Sequence, residues 1–196
     1  GNSLVYRSDS VAAAPIVVVE TSLLASASVP DSIDAQLTFA SITGGTVSYN
    51  TTGLSAGDPL RFVLQADASS LATGYYDYTV TLKAWYGATS TTTTFSGSQA
   101  VVNRSESEFG TGWWFAGLDQ LVVSGSGALL VSSSGDTTWY ADDGSGGFLP
   151  AEGDLRFATL VENGGGDFTL TAKTGETWNF STTGLLTSFD YTNGRF

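Results

Sequence analysis

Tyr75-Tyr76-Asp77-Tyr78-Thr79-Val80-Thr81-Leu82-Lys83-Ala84-Trp85-Tyr86 is the stretch on which the fold turns. Tyr76, Tyr78, Val80, Leu82 and Ala84 fall on one side of an extended chain, and Asp77, Thr79, Thr81 and Lys83 fall on the other. Alternation at period two marks a strand with one face buried and one wet. Trp85 lies on the polar side, so its ring is expected to be exposed or to mark an inter-domain contact.

Outward from this strand the same grammar continues. Upstream, Pro15–Thr21 is a β-branched run, and Ile33, Ala35, Leu37 and Phe39 alternate with Asp34, Gln36 and Thr38. Thr46–Tyr49 and Leu60–Leu64 alternate likewise, and Thr91–Val102 follows a turn at Gly87. About seven turn-separated strands in some 100 residues predict an immunoglobulin-like or fibronectin-like β-sandwich over residues 1–103. Leu71, Gly74, Tyr76 and Tyr78 fit the corner where a loop Leu and a strand Tyr pack together in such domains.

Asn103–Gly112 (NRSESEFGTG) reads as a polar junction, and charge divides there, −4 before residue 104 and −8 from it onward. Beyond it, short strands alternate with Gly-rich turns: Ala128–Ser132, Thr137–Tyr140, Arg156–Val161, Phe168–Ala172, Thr177–Phe180 and Leu185–Tyr191. Ser134–Tyr140 and Thr174–Phe180 match at a distance of 40 residues. In both an acid follows the turn glycine, and an aromatic stands five residues after that glycine. Residues 104–196 are therefore expected to form stacked β-hairpins, each covering the edge and apolar face of the next. The chain as a whole is predicted to be all-β.

Composition narrows the function. Of 196 residues, 41 % are hydrophobic and 12 % aromatic, enough for a core, while only 13 % are charged. Nineteen acids against seven bases give a net charge of −12. Phosphate binding needs clustered cations, so nucleic acid is excluded as a partner. Cys, His and Met are absent, which removes thiolate chemistry, the commonest general base and the commonest transition-metal ligand. The lack of an initiator Met makes the chain read as a fragment or processed product. Val11–Val19 is interrupted by Pro15 and falls short of the ~20 residues of a membrane helix. No basic segment precedes it, so it does not read as a signal peptide, and no membrane insertion is expected.

Candidate chemistry is sparse. Asp142 and Asp143 open a Gly-rich turn that could offer oxygens to calcium, without the spacing of a dedicated calcium loop. Trp113, Trp114, Trp139 and Trp178, together with Trp85, could form an aromatic platform for a glycan. The plainer expectation is that the first four fill the core between hairpins. No carboxylate pair stands out for glycoside hydrolysis, and a cross-link at Lys83 is disfavoured by its outward parity. Without His there is no Ser-His-Asp triad. No catalytic residue and no cofactor is expected.

Phe109–Leu121 (FGTGWWFAGLDQL) resembles the segment that introduces the repeat region of RHS/YD-repeat proteins. Gly127–Val131, the two glycine-to-aromatic hairpins, Gly184–Ser188 and Asn193-Gly194-Arg195 continue that pattern in order. The stretch upstream, through Leu4–Tyr6 and Leu71–Tyr75, is similar to the sandwich that precedes such repeats in large bacterial surface proteins. The resemblance implies a non-enzymatic structural or adhesive module of a secreted or cell-surface protein, the base of a β-shell. Its partners would be the rest of its own polypeptide and a protein or glycan surface. The repeats proper and the self-cleaving core of that family are absent here. The alternative reading is a carbohydrate-binding or adhesion module with an aromatic surface patch.

Overall fold

The computed structural model describes residues 3–24, 28–149, 153–155 and 157–191. In chain order its strands are β1 (Leu4–Tyr6), β2 (Ile16–Ser22), β3 (Ser32–Phe39), β4 (Ile42–Asn50) and β5 (Pro59–Gln65). A long hairpin, β6 (Gly74–Tyr86) and β7 (Thr89–Val101), follows. Then come β8 (Trp113–Phe115), β9 (Gln120–Ser124), β10 (Gly127–Val131) and β11 (Thr137–Ala141). The last four are β12 (Thr159–Glu162), β13 (Phe168–Thr171), β14 (Thr177–Phe180) and β15 (Leu186–Asp190). Among the described residues helix is confined to two single 3-10 turns, and no helix is long and apolar enough to cross a membrane. The architecture is all-β, made of several small antiparallel sheets.

The chain divides into two compact units, one of Ala12–Ser70 with Tyr76–Val101, the other of Gly1–Val11, Leu71–Tyr75 and Val102–Phe196. Relative to a single cut at residue 103, the second unit also takes in Gly1–Val11 and Leu71–Tyr75. Backbone pairing accounts for the first of these segments. Leu4–Tyr6 runs antiparallel to Trp113–Phe115, and the Arg104 N–H donates to the Ser10 carbonyl at 2.6 Å.

In the first unit, the pair β2–β5 and the sheet β4-β3-β6-β7 share a core. Val17, Val19, Phe62 and Leu64 are buried from the pair, and Ile33, Ala35, Leu37, Phe39, Val80 and Leu82 from the larger sheet. Phe62, Leu64 and the six from the larger sheet sit at the parity expected from period two, and Val17 and Val19 alternate with exposed neighbours on a strand read in sequence only as a β-branched run. Phe39 meets Tyr76 and Tyr78 at 6.4 Å each, so the paired tyrosines cap the strand end that begins the decisive stretch. Gly97 stands on β7 because a Cβ there would come within 2.6 Å of the Tyr78 hydroxyl.

The second unit holds the meander β9–β10–β11 and the meander β12–β13–β14–β15. Leu121, Ala128, Leu130, Tyr140, Leu160, Phe168, Leu170 and Phe180 form one core contributed by both. Strand β10 is buried at all five positions, which is why Gly127–Val131 reads as continuous apolar sequence rather than as an alternation. Arg156, the expected start of a strand, and Asn193-Gly194-Arg195 lie outside the described residues.

Four hairpins close with the same turn. The N–H of its first residue donates to the carbonyl of its fifth, and a glycine at the fourth position donates back to the first: Ser132/Gly135/Asp136, Asn163/Gly166/Asp167, Ala172/Gly175/Glu176 and Ser181/Gly184/Leu185. The four glycines have φ of 93°, 80°, 92° and 77°. This is a type I turn closed by a left-handed residue, a position glycine occupies without steric cost. Two of these turns were visible as the 40-residue match. The other two escape it for different reasons: Asp167 is not followed by an aromatic at the matching distance, and Gly184 is followed by Leu185 instead of an acid, although Phe189 stands where the aromatic should.

The match also placed Tyr140 and Phe180 as equivalents, and both are buried in the shared core. They differ in one atom: the Tyr140 hydroxyl is buried with no hydrogen-bond partner. A buried hydroxyl left unpaired costs about 1–3 kcal/mol. Tyr140→Phe should therefore raise stability by about 1 kcal/mol, read as a higher urea midpoint with unchanged m-value. Burial also pushes the Tyr140 hydroxyl from its ordinary 10 up to about 12. A raised folded-state value means that the stability linked to this group is complete below the unfolded value and is lost as pH climbs between the two. The advantage of the Phe variant should accordingly widen above pH 10.

Candidate binding groove

Asn103–Gly112, which reads as a polar junction in sequence, is a loop tied down by backbone and side-chain hydrogen bonds. Arg104 is the reason. Its carbonyl accepts from Gly112 at 2.9 Å, and its side chain, only 4 % exposed, donates to the carbonyls of Ser132 at 3.1 Å and Ser133 at 3.4 Å. Arg7, clamped by Asp9 at 2.7 Å, donates to the next carbonyl along, that of Ser134. Two arginines thus hold three consecutive carbonyls of the β10–β11 turn, while Asp119 accepts from the Ser133 N–H at 2.9 Å. Burial, and then the charge of Arg7, pull the Arg104 guanidinium below its ordinary range, against a smaller opposing pull from Asp9. Asp9 is itself held below the usual carboxylate range, chiefly by its hydrogen bond from Arg7.

Trp114 lies against this guanidinium, 5.0 Å from its ring. Its indole N–H donates to the Leu118 carbonyl at 2.6 Å, and Phe109 meets it edge-on at 5.5 Å. The ring is fixed on three sides. It lines a groove of about 360 Å³ together with Arg104, Glu106, Glu108, Phe109 and Gln120, with Leu118, Leu185 and Leu186 supplying apolar surface. Thr73, Asn103 and Ser107 also reach the groove, but their polar atoms are engaged with backbone groups. Glu106 and Glu108 are exposed and form no ion pair among the described residues. No family model, curated protein or solved structure matches this chain.

The expected platform residues are dispersed. Trp113 and Trp114 are neighbours in β8 and point opposite ways; Trp113 is 40 % exposed and rests on Tyr6 at 5.3 Å, away from the groove lining. Trp139 does not enter the core shared by the hairpins. Its strand neighbour Tyr140 takes that face, and period two turns Trp139 the other way, where it stacks on Tyr75 at 4.4 Å and 12°. Trp178 packs half-buried against the shared core and meets Phe189 at 4.6 Å. Trp85, in the first unit, donates to Asp34 at 2.8 Å and carries the Lys83 ammonium 4.0 Å above its ring. Hydrogen bonds from Ser48 and Trp85 hold Asp34 below the usual carboxylate range.

Asp142 and Asp143 serve their own loop. The Gly144 N–H donates to Asp142 at 2.6 Å, while one Asp143 oxygen accepts from the Ser145 N–H and hydroxyl and from the Gly147 N–H at 2.7–3.0 Å. The same donors hold Asp143 below its usual range. No group of three or more acidic side chains converges among the described residues. The groove residues Arg104, Glu106, Glu108 and Gln120 escaped sequence reading. The one available signal was a lone arginine, scarce in this chain, placed shortly before paired tryptophans.

Proposed function

We propose that this chain is a non-enzymatic structural and interaction module of a large secreted or cell-surface protein of the RHS/YD-repeat type. In this reading an immunoglobulin-like or fibronectin-like unit acts as a spacer, and stacked hairpins form the base of a repeat shell. The observation that carries it is the regular last sheet. Its turn glycines, Gly166, Gly175 and Gly184, recur at nine-residue intervals with the same backbone geometry, and its aromatics Phe168, Phe180 and Trp178 are spent on packing. A sheet built by repetition can be lengthened by adding hairpins, which suits a wall better than a catalytic cleft.

The test is substitution of the tryptophans that the rival platform would use. Trp139→Ala and Trp178→Ala should each lower unfolding free energy by about 2 kcal/mol, because the rings are packing elements. Chemical denaturation followed by far-ultraviolet dichroism measures this. Changes below about 0.5 kcal/mol, the range of ordinary surface substitutions, would instead mark the rings as free for ligands and sink the structural reading.

A further inference from the structure

We propose that the groove beside Trp114 is a subsite for a neutral sugar, an activity beyond the structural role and independent of it. The argument starts from what the lining leaves unspent. Glu106 and Glu108 present carboxylates with no ion-pair partner among the described residues, and the Gln120 amide makes no hydrogen bond there. Arg104 uses two N–H donors on the turn carbonyls and keeps others. Around these groups stand the rings of Trp114 and Phe109.

Charge then selects the ligand class. An anion would meet two carboxylates on a chain of net charge −12. A cation would be repelled by the Arg104 guanidinium, a group that stays protonated and lies 5.0 Å from the Trp114 ring. A neutral ligand with hydroxyl groups satisfies both signs at once, donating to Glu106 and Glu108 and accepting from Gln120 and Arg104. Its C–H face has an aromatic surface to rest on. A pyranose ring has these properties. The groove, at about 360 Å³, falls within the size of small-molecule clefts. The indole is fixed beforehand by Leu118, Arg104 and Phe109, so binding loses little further side-chain freedom.

The experiment titrates the full chain with neutral oligosaccharides of glucose, galactose and N-acetylglucosamine, with oligogalacturonate and putrescine as anionic and cationic controls. Tryptophan fluorescence and indole N–H resonances report binding. At least one neutral sugar should bind saturably with Kd of about 1 mM or tighter. A Glu106→Gln, Glu108→Gln double variant, altering exposed side chains only, should weaken it at least about tenfold while the melting temperature stays put. The proposal is overturned if no neutral sugar in the panel binds, if only a control binds, or if the double variant binds as the parent does.

Discussion

Arg104→Ala should destabilise the second unit by about 3–5 kcal/mol, the loss of two hydrogen bonds from a charged donor at about 1.5–3 kcal/mol each. Three losses combine. The Ser133 carbonyl loses its donor and the Ser132 carbonyl keeps only the Gly135 N–H, beside a residue that is 4 % exposed. Trp114 loses the plane it rests on at 5.0 Å. A void of side-chain size remains beneath the loop. Arg104→Lys keeps the charge but offers a point donor in place of a planar fork, so it should recover only part of the loss. Arg104→Met restores volume without donors and should fall between alanine and wild type. Denaturant midpoints rank the three. An alanine variant within about 0.5 kcal/mol of wild type would mean that the cluster does not hold the loop.

This residue also shows where sequence reading stops. Strands announce themselves by parity: Tyr75–Tyr86 and Ile33–Phe39 were legible because one face of each is buried and the other is wet. Trp113–Phe115 and Gln120–Ser124 were not assigned as strands. The first is three residues long and the second pairs across a two-residue loop, too short for a period to develop. Trp139 was expected in the shared core because it sits beside the residue that is there. A one-residue difference reverses facing in a strand, and the repeat alignment tracked Tyr140 rather than its neighbour. Arg104 carries no periodic signal at all. Its role comes from meeting a turn 28 residues away, a relation that exists only after both segments have folded.

Gly184→Ala is expected to cost still more, and Gly166→Ala measures why. Both glycines occupy the fourth position of the same turn, with φ of 77° and 80°. An alanine at either pays about 1–2 kcal/mol for the left-handed backbone. At Gly166 the added Cβ would meet only the Thr182 methyl at 3.8 Å, so the conformational term is the whole effect. At Gly184 it would lie 1.7 Å from the Leu121 carbonyl oxygen, and that neighbour is backbone, unable to swing aside. Relief requires separating the turn from β9, which gives up the Leu121 N–H to Gly184 carbonyl bond at 2.8 Å and the bridge between Gln120 and Leu185. Leu121 is 1 % exposed and belongs to the shared core, so its displacement opens packing between the two meanders. The total should exceed about 4 kcal/mol, in the range reserved for disrupted cores and strained backbone. Equal losses at the two positions would show that the close approach of Gly184 to β9 does not hold the meanders together.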